Sequence, residues 1–309
     1  MCVEGAPDRR NMFKEFLIPV IEASRVLNRT TCKIFVDSMM SNLYESGVTF
    51  GMVELCFKKK GYTLDDITYM LSDEHAKAWC DTWGFPQPNK QDECWISHKP
   101  GYFSKSYKRF SLDKSTKGYT REDIKKFTDS TKVSQKVKTQ TLAFCYDVLD
   151  AGGHILSITC PLNIPFANKL KVFCIPHRPE GSTSTSPDEV IEFATRLGFS
   201  QDFTMIEAVK DFDLECQYTS VTVGRNGVGR SFGVEFTSKS KQGFSTALAY
   251  LKSIGLSNDS HIPKQLNGFN HIKLTFEKSK VTPKLYTWIG YSKYNDRKPQ
   301  AKPSRRTSK

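Results

Sequence analysis

Four segments of the 309-residue chain set a cation two residues before a ring or a small side chain. They are Lys171-Val-Phe173, Lys273-Leu-Thr275, Lys284-Leu-Tyr286 and, more weakly, Arg230-Ser-Phe232. In a strand, residues i and i+2 share a face, so each segment turns its cation and that neighbour the same way. The stretch Pro283 to Asp296, PKLYTWIGYSKYND, goes further: Lys284, Tyr286 and Trp288 alternate with Leu285, Thr287 and Ile289. Cations gathered on an inward face bind a phosphate or diphosphate through charge-assisted hydrogen bonds. Rings beside them stabilise a carbocation through their negative π faces and keep water from it. Together they suit an anion held next to an electron-poor carbon. A lysine on a strand's solvent face is ordinary, so the chemistry depends on several such strands facing one interior.

The elements that must position these residues follow from periodicity. Phe13 to Leu27 and Ile34 to Leu43 have helical spacing. Thr49 to Phe57 reads as a strand, Lys58 to Gly61 as a turn, Asp66 to Leu71 as a strand or the start of a helix, and Asp73 to Trp83 as a helix. Residues 86–138 read as a polar insertion or loop, with one helix around Arg121 to Phe127. Gln140 to Leu149 and His154 to Cys160 are expected to pair across the turn Asp150 to Gly153, and Lys169 to Ile175 to add a strand. Ser186-Pro-Asp-Glu189 is a helix start, with a serine cap, proline at the first position and glutamate three residues after the cap. That helix ends near Gly198, and another covers Asp202 to Val209. Glu215 to Val223 and Arg230 to Thr237 form a hairpin across the glycine-rich turn 224–229. Gly243 to Ile254 is a helix, and His271 to Glu277 pairs with Lys284 to Tyr291. Strand pairs recurring with helices, and the similar endings EFATRLGFS and AYLKSIGLS, suggest a weak repeat. Tight turns imply antiparallel pairing. The expected class is α+β, an antiparallel barrel of nine or ten strands coated by helices, with an open sheet as the alternative.

The net charge of +12 is local: residues 99–138 hold twelve Lys/Arg against four acids, and residues 297–309 hold six with no acid. The remainder is slightly acidic. Both basic segments are low in aliphatics and read as a surface loop and a disordered tail, or as a nucleic-acid or acidic-membrane patch. Nine cysteines without a C-x-x-C pair read as reduced thiols, which fits a cytoplasmic protein. Six histidines without ligand spacing argue against a zinc site, and no apolar run is long enough to span a membrane.

Four segments, in order from about Ser41, resemble the dimethylallyltryptophan synthase family of aromatic prenyltransferases. PKLYTWIGYSKYND is similar to the family's closing strand, where K-x-Y precedes a polar Asn-Asp end. KLKVFCIP is similar to its K-x-Y-F-x-P strand, with Phe173 where tyrosine is usual. VGRSFGVEF resembles its strand with arginine and a further K-x-Y, without the lysine or tyrosine; SNLYESGVTFGMVEL resembles its Asp-Gly-Thr-Pro-Phe-Glu-Phe-Ser segment. The resemblance implies a ten-stranded αββα-repeat barrel over residues 1–296, with 297–309 as a basic tail. It implies transfer of a dimethylallyl or longer prenyl group from its diphosphate to an indole or other small aromatic acceptor. No cofactor is then required, magnesium being stimulatory at most. On this resemblance Lys171, Arg230, Lys273, Lys284 and Tyr286 hold the diphosphate, and Phe173, Phe232 and Trp288 shield the allyl cation. The family's base is a glutamate, but an ungapped match puts Gly51 there. Either a small shift gives that role to Glu54, or the chain lacks the base and takes another acceptor or is non-catalytic. The arginine expected on the next strand is absent from DDITYML; Lys58, Lys59 or Lys60 is the nearest substitute. Nucleic-acid binding through 99–138 and the tail stays open as the alternative.

Overall fold

A computed structural model describes residues 48–58, 62–71, 77, 93–98, 106–111, 119–131, 133–161, 169–176, 185–238, 243–256, 269–277 and 280–289. The helices expected over 13–27 and 34–43, nearly all of that over 73–83, and the tail lie outside these residues.

The chain forms strands β1 (Val48–Phe57), β2 (Tyr62–Leu71), β3 (Glu93–His98) and β4 (Ser106–Ser111), then helices α1 (Arg121–Ser130) and α2 (Gln135–Asp150). Strands β5 (His154–Pro161) and β6 (Lys169–Ile175) follow, then α3 (Pro187–Arg196) and the short α4 (Thr204–Glu207) with a 3-10 turn. Strands β7 (Glu215–Gly224) and β8 (Gly227–Thr237), helix α5 (Gly243–Ser253), and strands β9 (Phe269–Glu277) and β10 (Lys280–Ile289) complete it. Every pairing is antiparallel, and the strands close in the order β1-β10-β9-β8-β7-β6-β5-β4-β3-β2. Closure removes the unpaired edges an open sheet would expose.

Alternation decides which face is which. Val53 and Leu55, Leu170 and Val172, Val234 and Phe236, Ile272 and Leu274 belong to one apolar cluster with Ile124, Phe144, Val190 and Tyr250 of the helices. The helices therefore cover the outside, and residues one step out of phase look into the lumen. Helix starts are built locally: Thr120 with Asp123, and Ser186 with Glu189, both complete capping boxes.

Two expectations are overturned. Residues 140–149 are helix, the second half of α2, and not a strand. Val137, Thr141, Phe144, Cys145 and Val148 are buried at helical spacing, so period prevails over the β-prone composition of this stretch. The turn Asp150 to Gly153 is then the helix's end: Gly152 has φ 78° and Gly153 N–H donates to Val148 O at 2.8 Å. Within 86–138, the supposed insertion supplies β3 and β4, which pair with each other, with β2 and with β5.

Candidate functional site

Lys284 and Tyr286 lie on the lumenal face of β10, which joins β1 with Cys56 opposite Lys284 and Glu54 opposite Tyr286. Lys284 Nζ donates to Glu54 and, at 2.6 Å, to Asp65 Oδ2. A register shift after Glu54 lets Asp65 join this group from β2. Burial opposes the Glu54 charge, but the Lys284 ammonium and hydrogen bonds with Asp65, Lys284 and Tyr286 hold its carboxyl well below the usual range. Burial likewise works against the Lys284 ammonium, and Glu54 and Asp65 outweigh it.

A second charged group sits on β8 and β9. Lys273, 5% exposed, donates to Glu235 Oε1 at 2.5 Å and to Ser220 Oγ at 2.8 Å. Ser220 stands on β7, so the lysine side chain crosses β8. It does so over Gly233, where an added Cβ would come within 3.0 Å of Lys273 Cε and 2.6 Å of Ser220 Oγ. Glu235 Oε2 lies 3.1 Å from His271 Nε2. Burial resists ionisation of Glu235, and Lys273, His271 and Lys171 together hold its carboxyl well below the usual range.

Rings link these groups. His271 stacks on Tyr286 with centroids 4.1 Å apart and planes at 19°. Tyr218 is 6.5 Å from His271 and meets Phe173 edge-on at 5.5 Å. The Lys171 ammonium lies 4.5 Å from the Phe173 centroid and that of Lys273 5.6 Å, within cation–π range. One inner face thus carries three ammoniums beside an arc of rings running from β6 to β10.

Of the residues singled out from sequence, Glu54, Lys171, Phe173, Lys273, Lys284 and Tyr286 share this face. On β1, Glu54 lies between Val53 and Leu55 of the helix-facing core and meets Lys284, so it is a lumenal carboxylate. Two expectations fail. Phe232 is fully buried on the outer face, 4.8 Å from Phe199 and 5.9 Å from Phe203. Its period-2 neighbour Arg230 is exposed and borders an external groove with residues 197–201. Strand β8 is one step out of phase with the expectation: its lumenal residues are Gly233 and Glu235. Trp288 pairs with Met52 in register; its side chain is outside the described set. Asp65, Tyr218, Ser220, Glu235 and His271 were missed. H-I-K at 271–273 held the signal for His271, which shares the period of Lys273; Glu235 comes alongside only through its pairing with Lys273 across β8 and β9.

No protein-family model matches the chain, and no curated protein matches it in sequence. Solved structures do. A 6-dimethylallyltryptophan synthase from Micromonospora olivasterospora, in complex with DMASPP and Trp, superposes with a TM-score of 0.55 at 11% identity, covering 91% of this chain and 97% of its own. The prenyltransferase PriB, in its apo form, gives 0.56 at 9% identity over 90% and 95%. AnaPT from Neosartorya fischeri gives 0.55 at 6% identity over 90% and 91%. The chain has the fold of the aromatic prenyltransferases. At these identities the likeness concerns the fold, and the side chains must carry the chemistry. Among the described residues no helix is long and apolar enough to cross a membrane, and no cluster of three or more His, Cys, Asp or Glu could hold a metal ion.

Proposed function

We propose that this protein is an aromatic prenyltransferase that moves a dimethylallyl or longer prenyl group from its diphosphate to an indole, tryptophan-like or other aromatic acceptor. The observation that carries this reading is the convergence of Lys171, Lys273 and Lys284 with Phe173, Tyr218, His271 and Tyr286 on one inner face of a barrel of this fold. The ammoniums, with the Tyr286 hydroxyl, would draw the electron pair of the breaking C–O bond onto the diphosphate. The rings would cover the allyl cation until the acceptor's π electrons close the new C–C bond. The barrel, residues 1–296, is proposed as one catalytic domain, with the basic tail outside it. A cytoplasmic location fits the unpatterned cysteines.

One observation favours a second reading, a non-catalytic relative of the same barrel: Lys273 and Lys284 are already paired with Glu235, Glu54 and Asp65. Incubation with dimethylallyl diphosphate and a panel of indoles, in chelator, separates the two by mass. Product in chelator is expected, since ammoniums rather than a metal would hold the diphosphate. No mass shift on any acceptor would reject the enzyme reading, and salt-sensitive retention on single-stranded DNA would then favour nucleic-acid binding through 99–138 and the tail.

A further inference from the structure

Glu54 is tied to a lysine, an aspartate and a tyrosine, which makes it a weak proton acceptor. Transfer to an aromatic ring nevertheless ends with a proton to remove. We propose that His271 is the general base of the transfer and that Glu235 orients it. Both are almost fully buried, at 7% and 3% exposed. A neutral imidazole whose Nε2–H faces Glu235 Oε2 at 3.1 Å carries its lone pair on Nδ1. Glu235 is itself fixed through its other oxygen, which accepts from Lys273 at 2.5 Å. Stacking on Tyr286 holds the ring plane. A base oriented by a second, anchored group is the arrangement that acid–base catalysis needs.

The step balances. The C–O bond of the prenyl diphosphate breaks, and its electrons leave with the diphosphate. Ring π electrons of the acceptor form the C–C bond, giving an arenium ion. Its C–H bond at the attacked carbon then breaks, the electron pair restores aromaticity, and the proton goes to His271 Nδ1. Glu235 stabilises the imidazolium that results. Among the described residues, the charged and titratable groups around this imidazole are Glu235 on β8, Lys273 on its own strand, Tyr286 on β10 and Tyr218 on β7, with Lys171 of β6 acting on Glu235.

The inference rests on the prenyl-transfer reading, and its test separates the two. Wild type, His271→Asn and Glu235→Gln are assayed with dimethylallyl diphosphate and an indole acceptor, with and without deuterium on the ring carbons. Prenylated product and free dimethylallyl alcohol are both measured. In His271→Asn, product formation should fall about 100-fold while alcohol release continues, because ionisation needs no base. A primary deuterium effect should emerge. The acid limb of kcat, which reflects protonation of the base as pH falls, should disappear. Glu235→Gln should move in the same direction by less. A purely structural histidine would not redirect prenyl diphosphate to alcohol or alter the isotope effect. Where the asparagine variant fails to fold, His271→Gln replaces it. Wild-type product with kcat and isotope effect unchanged in a folded variant overturns the inference and spares the function. No product from the wild type overturns both.

Discussion

Lys284 is shared between two carboxylates, and that sharing sets what its removal does. Lys284→Ala should lower turnover, since an ammonium beside the diphosphate is lost. It also leaves Glu54, 7% exposed, without its cation. Breaking a buried pair costs about 3–5 kcal/mol. Here the side chains of Lys284 and Asp65 are 22% and 34% exposed, so a loss nearer about 2 kcal/mol is expected by urea unfolding. Adding Glu54→Gln should recover at least half of it; no recovery in the double variant would mean the pair is not coupled. The pH dependence has a definite sign. Glu54 is lowered in the folded state, so its contribution is present above its ordinary value of 4.5 and is lost as pH falls from there toward the depressed folded value. Glu54→Gln should flatten this acid limb of stability, and an unaltered limb would assign it to other groups. Lys284 and Tyr286 were legible because one strand announces its faces by alternation. The partners on neighbouring strands were not, because register is invisible in one strand: only the pairing of Glu235 with Lys273 and the shift beside Glu54 bring the acids alongside.

At the scale of elements, two glycines with crowded surroundings should respond differently. A Cβ on Gly153 would meet the Phe193 ring at 2.6 Å and the Ile175 carbonyl at 2.8 Å. Phe193 is part of the core and the carbonyl is backbone, so neither yields cheaply; Gly153→Ala should cost about 1–3 kcal/mol. At Gly233 the obstacles are a serine hydroxyl and a lysine methylene, which can rotate away. Gly233→Ala should therefore cost less stability but displace Lys273 from Ser220 and Glu235, raising the KM for prenyl diphosphate. Melting temperatures and initial rates test the ordering. If Gly233→Ala were the less stable variant with normal kinetics, the crossing of Lys273 over β8 would carry no function. Elements were legible where turn chemistry and period agreed, as in the serine-capped α3 and the hairpins β7–β8 and β9–β10. They were misread where the two competed. Residues 140–149 have strand-like composition but a helical burial period, and the glycines after them end a helix. Strands β3 and β4 are six residues each without a clean polar–apolar alternation, so pairing within the closed sheet, rather than local pattern, makes them strands.

Over the whole molecule, the cations of the lumen are matched by carboxylates on facing strands. Among the described residues Lys171, Lys273 and Lys284 face Glu54, Asp65 and Glu235, and the buried Asp66 stands opposite Glu54 in register, so the +12 of the chain does not reside in the site. An incoming diphosphate must draw ammoniums away from Glu54 and Glu235, which stay ionised because of them. Once Lys284 turns to the anion, burial dominates at Glu54, its affinity for protons rises, and binding becomes linked to proton uptake. Inorganic pyrophosphate titrates in the same range, so the measurement must be differential. Calorimetric titration with pyrophosphate, in two buffers of different ionisation enthalpy, gives the protons exchanged by wild type and by Glu54→Gln. The wild type should take up more protons than the variant. Its affinity should also fall more steeply between pH 6 and 8, because deprotonating conditions return Lys284 to Glu54. The Glu54→Gln protein, which has no such competitor at that position, should bind pyrophosphate more tightly at pH 8. Equal proton exchange in the two proteins would mean that Lys284 serves the carboxylate and the anion together, and the pairing in the lumen would then be no obstacle to catalysis.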